Sequence, residues 1–148
     1  YTMKHLAIDY GKARTGLAVS DPDETYGFPR KTILMQGKKQ FFSDILAYIA
    51  EEEVEAIVVG LPLTNLGEDT ETTRMVRNMV SKLAHHCPLP IYYMEEYLSS
   101  IEAEKRLKAM GKKNKEIPLL VDQYAAAIIL ESFFSLTKEQ RQHLLYPR

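Results

Sequence analysis

The order in which strand-like and helix-like periodicities follow one another is what most constrains this chain. Lys4 to Asp9 is a short apolar run ending in an acid, and Gly16 to Ser20 is a second run beyond a turn rich in glycine and basic residues. The two predict a β-hairpin, followed by a turn at Asp21-Pro22-Asp23 and a third strand over Lys31 to Met35. From Phe41 to Glu53, the residues Phe42, Ile45, Leu46 and Ile49 recur at three and four, which is helical spacing. Glu55 to Gly60 is β-branched and closes on glycine, so it reads as a buried strand leading into a loop over Leu61 to Gly67. Met75, Val76, Met79, Val80 and Leu83 then form an apolar stripe opposite Arg74, Arg77 and Asn78, the mark of a second helix. Ile91 to Met94 is the last strand. Ser99 or Ser100 serves as N-cap of a helix to about Met110, Gly111 stops it, and Pro118 suits the first turn of a final helix. Hairpin strands pair antiparallel, whereas strands joined through helices run parallel. The expected fold is therefore α/β with a mixed sheet.

Length and charge narrow the function. The 148 residues, 45% of them apolar, suit one domain with one core. Nineteen basic and 20 acidic residues leave a formal charge of −1, too little for a protein that holds nucleic acid by bulk charge alone, although a local basic patch stays open. Apolar runs such as Ala56 to Val59 and Ala125 to Leu130 are far shorter than the roughly 20 residues of a membrane span. Leu6 to Ile8 is too short for a signal-peptide core, and Met3, after Tyr1 and Thr2, reads as the natural start. With Cys87 as the single cysteine there is no internal disulfide, and a reducing cytoplasm is the expected compartment.

Three acids sit where an acid is awkward. Asp9 ends an apolar strand, Glu96 follows another, and Asp122 interrupts the apolar stretch Ile117 to Leu130. On a helix, Asp122 shares a face with Ala125, Ala126 and Ile129, and the small alanines would let that face approach a sheet closely. Carboxylates so placed need a partner, and Mg²⁺ or Mn²⁺ answers that need because hard cations take carboxylate oxygens. Capped or solvated acids are the plainer alternative. The segment Asp9 to Gly16 adds an acid at a strand end, two glycines that permit close backbone approach, and Lys12 and Arg14 as possible phosphate ligands. A hairpin tip without any ligand has the same composition.

Five motifs in order carry a resemblance: Asp9-x-Gly11-x-x-Arg14-x-Gly16; Ser20-Asp21-Pro22; Gly60-Leu61-Pro62-Leu63 with Gly67; Glu95-Glu96-Tyr97-Leu98-Ser99-Ser100; and Val121-Asp122-Gln123-Tyr124-Ala125-Ala126. Over Met3 to Phe134 the chain resembles the bacterial YqgF-type family, described both as Holliday junction resolvases and as pre-16S rRNA nucleases. The resemblance implies a ribonuclease H-like domain over residues 3–134, with a five-stranded mixed sheet flanked by helices and a tail over 135–148 outside the likeness. It further implies that Asp9, Glu96 and Asp122 are the catalytic, metal-binding set. Family members read Asp-Glu-Arg-Leu where this chain has Glu95-Glu96-Tyr97-Leu98, so Glu96 is kept and an arginine contact is lost.

The expected chemistry is phosphodiester hydrolysis with Mg²⁺ or Mn²⁺, two ions in all, standing roughly 3.5 to 4 Å apart in sites of this kind. Asp9 bridges them, Glu96 and Asp122 each complete one side, and Lys12 and Arg14 orient a phosphate. Glu95 points away from Glu96 by strand alternation. Between Glu104 and Glu116, the residues Lys105, Arg106, Lys108, Lys112, Lys113 and Lys115 form the strongest local charge excess, and Lys112 and Lys113 are expected to contact substrate; a solvated helix face and loop is the alternative. The expected partner is nucleic acid, as structured RNA of ribosomal precursor particles or as branched DNA, with the protein a monomer or homodimer and no membrane involved. Processing of the pre-16S rRNA 5′ end is the first reading and junction resolution the second. A sugar kinase or actin-like nucleotide-binding protein shares the Asp-x-Gly loop but needs two such domains, and a non-enzymatic RNA-binding module is the third option. His85-His86-Cys87 lacks the partners of a zinc site, Ser99 reads as a cap, Met75 and Met79 as core, and Tyr92, Tyr93, Tyr97 and Tyr124 as packing. Thr64 and Asn65 are minor candidates for substrate contact.

Overall fold

Strands β1 (His5–Tyr10), β2 (Arg14–Ser20) and β3 (Gly27–Leu34) form an antiparallel meander, and β4 (Ala56–Pro62) and β5 (Ile91–Glu96) run parallel to β1. The order in space is β3-β2-β1-β4-β5, so β1 lies in the middle of a five-stranded mixed sheet. This computed structural model describes residues 3–64, 66–96 and 99–148, with the backbone alone for 99 and 100.

Helices α1 (Lys38–Glu51) and α2 (Glu71–His86) cover one face. Leu6, Ile8 and Tyr10 of β1 pack there with Phe41 and Ile45 of α1 and Val76, Val80 and Leu83 of α2. Thr70 and Thr73 close a reciprocal capping box that starts α2 where the chain leaves the sheet. Met79 is buried and Met75 packs beside it, as the apolar stripe predicted.

The other face is covered by α4 (Ile117–Phe134), whose Ala126, Ala127, Ile129, Leu130 and Phe133 pack on Ala7, Ala18 and Val58. This helix is long and apolar enough to cross a membrane by length and composition. Its apolar side is instead seated on the sheet, which is what a core helix requires. Pro118 stands in its first turn as expected. Helix α3 (Ser99–Ala109) packs on α4 through Ala103 against Ala125 and Ile128, so Ala125 faces α3 and not the sheet.

Two strands depart from the sequence expectation. The third strand begins at Gly27, four residues before Lys31, because Pro29 is tolerated on an edge strand next to a register shift at Leu17/Ala18. Strands β4 and β5 run on through Pro62 and Glu96, where Leu61 pairs with Glu95 and Pro62 with Glu96, so the expected loop begins later. Beyond α4, the tail forms α5 (Lys138–Gln142) and then lies antiparallel along β5: Tyr93 N–H donates to the Leu144 carbonyl at 2.9 Å and Tyr146 N–H to that of Ile91 at 2.7 Å. The free edge of β5 is thereby paired over that stretch.

Candidate active site

Asp9 stands one residue from the end of β1 and Glu96 ends β5. Both therefore lie at the carboxyl ends of parallel strands, the side on which open α/β sheets bind their ligands. Alternation along β1 sends Ala7 and Asp9 to the α4 face and Leu6, Ile8 and Tyr10 to the opposite one. Met94 packs in the α4 layer, so Glu96, two residues on, shares that face, while Glu95 is exposed on the other.

Asp9 has a glycine on either side. Gly16 is its partner on β2, and Gly60 lies one step beyond the Ile8–Val59 pair on β4. A Cβ at Gly16 would run into the backbone carbonyl of Asp122. At Gly60, a Cβ would stand 2.5 Å from Oε2 of Glu96 and 2.6 Å from Cδ1 of Ile129. The bare backbone at Gly16 thus lets α4 touch the sheet beside Asp9, bringing Asp122 with it. The bare backbone at Gly60 leaves room for the Glu96 carboxylate to lie over β4, toward Asp9.

The three carboxyls interact in series. Burial first, and the charge of Asp122 second, push Asp9 up to about 7. Burial likewise pushes Glu96 up to about 8, with the charge of Asp9 as second cause. Such a group is short of positive charge when ionised. Arg14 supplies some of it: its Nε donates to Oδ2 of Asp122 at 2.7 Å, from a side chain 42% exposed against one 19% exposed. Arg14, at the start of β2, faces the same side as Gly16 by alternation. Among the described residues, no three His, Cys, Asp or Glu side chains converge closely enough to hold a metal ion in this arrangement.

A family model described as "RuvX: Holliday junction resolvase" matches residues 3–136. The chain belongs to the RuvX family. A protein of Nitratidesulfovibrio vulgaris (strain DSM 19637 / Miyazaki F), named "Putative pre-16S rRNA nuclease", is 50% identical over 139 residues, covering 94% of this chain and 98% of the relative. One of the same name from Chloroflexus aurantiacus (strain ATCC 29366 / DSM 635 / J-10-fl) is 33% identical, covering 95% and 93%. Among solved structures, T. thermophilus RuvC in complex with Holliday junction substrate superposes with a TM-score of 0.59 at 18% identity, covering 99% of this chain and all of that one. At that identity the likeness is one of fold, and it agrees with the ribonuclease H-like sheet expected from the motifs. The relatives match over nearly their whole length, which does not favour the two-domain kinase reading.

Within this RuvX-family chain the remaining sequence candidates differ in what they touch. Lys12, in the β1–β2 turn, is exposed and pairs loosely with Glu71 at the start of α2, at 3.7 Å. In the basic segment, Arg106 is engaged by Glu131 at 3.0 Å and Lys108 by Glu104 at 3.9 Å. Lys112 and Lys113 form no ion pair among the described residues and sit in the loop before α4. Tyr92 and Tyr93 pack, on Phe133 and Tyr146 respectively, and Tyr124 joins the α3–α4 contact. Thr64 closes its own turn, its hydroxyl accepting from Glu68 N–H. Asn65, Tyr97 and the side chain of Ser99 lie outside the described residues.

Sequence reasoning missed two features of the site. It did not foresee Gly60 as the seat of Glu96, although a glycine closing an apolar strand was the available signal. It also assigned Arg14 to phosphate without an intramolecular partner, because a contact spanning 108 residues leaves no local trace.

Proposed function

We infer that this chain is a metal-dependent nuclease that hydrolyses phosphodiester bonds, with the precursor of 16S rRNA as its substrate. The observation that carries the reading is the gathering of Asp9, Glu96 and Asp122 around two glycines at the carboxyl ends of β1 and β5, with Asp9 and Glu96 pushed up by burial and by their neighbours' charge. An all-oxygen, negatively charged donor set fits Mg²⁺ or Mn²⁺. Asp9, as the middle member, and Glu96 would hold the metal together with Asp122. When bound, the metal supplies Lewis-acid stabilisation and an activated water. Arg14 and Lys12 flank the acids at the hairpin tip and contact a phosphate near the scissile bond. Lys112 and Lys113 precede α4, on which Asp122 lies five residues past Ile117, or roughly 8 Å along the axis. Their charge therefore lies within a few nucleotides of the acids and grips the backbone further along.

The family's resolvase description supports a second reading, cleavage of branched DNA, in which a homodimer would present two sites to one junction. One experiment separates the two. Purified protein and its Asp9→Asn variant are given, with Mn²⁺, an RNA spanning the 16S 5′ end with its leader and a four-way DNA junction. Cleavage of the RNA that needs Asp9 is the expected result. Asp9-dependent cutting of the junction alone would move the assignment to DNA, and no Asp9-dependent cutting of either would end the nuclease reading.

A further inference from the structure

We propose that Arg14 is a positioning residue that competes with the metal for Asp122: it holds that carboxylate in the unloaded protein and releases it on metal binding, which frees the guanidinium for a substrate phosphate. The proposal rests on the reading of Asp9, Glu96 and Asp122 as metal ligands.

Four observations carry it. Gly16, the ladder partner of Asp9, lets the Asp122 backbone rest on the sheet beside Asp9, yet the acids do not form a closed three-ligand group among the described residues. The Oδ2 of Asp122 is instead bonded to Arg14 Nε at 2.7 Å. The backbone at Asp122 is pinned against Gly16, so α4 does not have to move for that oxygen to change partner; a side-chain rotation is enough. Arg14 is the more exposed member of the pair and shares the α4 side of β2 with Gly16, so its guanidinium has open solvent to move into on the side where substrate would lie. A guanidinium bonds carboxylate and phosphate with the same fork of donors, so the exchange trades one charge-assisted contact for another.

Binding linkage makes the consequence reciprocal: nucleic acid that draws Arg14 away tightens metal binding, and metal tightens nucleic-acid binding by the same factor. The test is calorimetric titration of Mn²⁺ into the wild type, Arg14→Gln, Arg14→Lys, Asp122→Asn and the Arg14→Gln/Asp122→Asn double variant, with and without a 2′-O-methyl RNA stem-loop that resists cleavage. Without RNA, Arg14→Gln should bind Mn²⁺ about tenfold more tightly than wild type, about 1.4 kcal/mol, and Arg14→Lys should lie between them. The gain should vanish in the Asp122→Asn background, and the RNA should tighten Mn²⁺ binding most in the wild type, less in Arg14→Lys and not in Arg14→Gln. Equal or weaker binding by Arg14→Gln, or an equal gain without Asp122, overturns the exchange while leaving the metal site standing. If the folded wild type binds no Mn²⁺ at all, the underlying metal reading falls, and the exchange with it.

Discussion

Gly16 faces Asp9 across the β1–β2 ladder, and the space its side chain would take is filled by the backbone carbonyl of Asp122. One hydrogen in place of a methyl group thus sets the distance between an acid on the sheet and an acid on the helix above it. The same logic recurs on the other side of Asp9, where Gly60 makes room for the carboxylate of Glu96.

Alanine at these two glycines should separate stability from activity. Gly16→Ala meets unyielding helix backbone, so it should cost about 1–3 kcal/mol in urea unfolding and lose most cleavage. Gly60→Ala meets the movable ends of Glu96 and Ile129, so the stability cost should stay near the low end of that range while cleavage and Mn²⁺ affinity fall at least tenfold. Equal losses of stability in the two variants would mean that Glu96 is not displaced.

Asp9 should destabilise the metal-free fold at neutral pH. Its carboxyl binds its proton more tightly folded (about 7) than unfolded (3.8), and Glu96 does likewise (about 8 against 4.5). On these two carboxyls the folded state therefore holds more protons across this window, and their contribution to stability falls as pH rises from about 4 to about 8, levelling off above. Without divalent metal, Asp9→Asn should be more stable than wild type at pH 8, by about 1 kcal/mol or more, while being inactive as a nuclease. Urea midpoints from pH 5 to 8 check this. A wild type that is most stable at pH 8 without metal would contradict the coupling of the acids.

Lys112 and Lys113 should act through phosphate alone. Replacing both with alanine should weaken binding to RNA of any sequence and reduce the slope of log K against log salt by about 2, with metal affinity unchanged. Filter binding between 50 and 200 mM salt measures this, and an unchanged slope would return the loop to the solvent.

The tail should matter for folding and not for chemistry. Arg141 pairs with Glu24 at 3.0 Å, donates to the Phe134 carbonyl at 3.1 Å, and lies over the rings of Phe133 and Phe134, with both charged side chains largely buried. Arg141→Ala leaves Glu24 without its charged partner and should cost about 2–4 kcal/mol. The rate per folded molecule should stay at the wild-type level, as a thermal melt paired with a cleavage assay will show.

Much of the architecture was legible from residues alone. The change of period from hairpin to alternating helix and strand implied a mixed sheet, because backbone hydrogen bonding and side-chain alternation are local rules. The same reading picked out Asp9, Glu96 and Asp122, since an acid that interrupts an apolar run conflicts with local hydrophobicity wherever the run ends up. Strand ends were less legible: Pro62 and Glu96 belong to strands because their neighbours pair with them, and a residue's own type does not report its neighbours. The partners of the acids were decided by tertiary structure alone. Arg14 meets Asp122, and Gly60 meets Glu96, only after α4 and β5 have closed around β1, and contacts that far apart in the chain depend on packing geometry that no window of sequence contains.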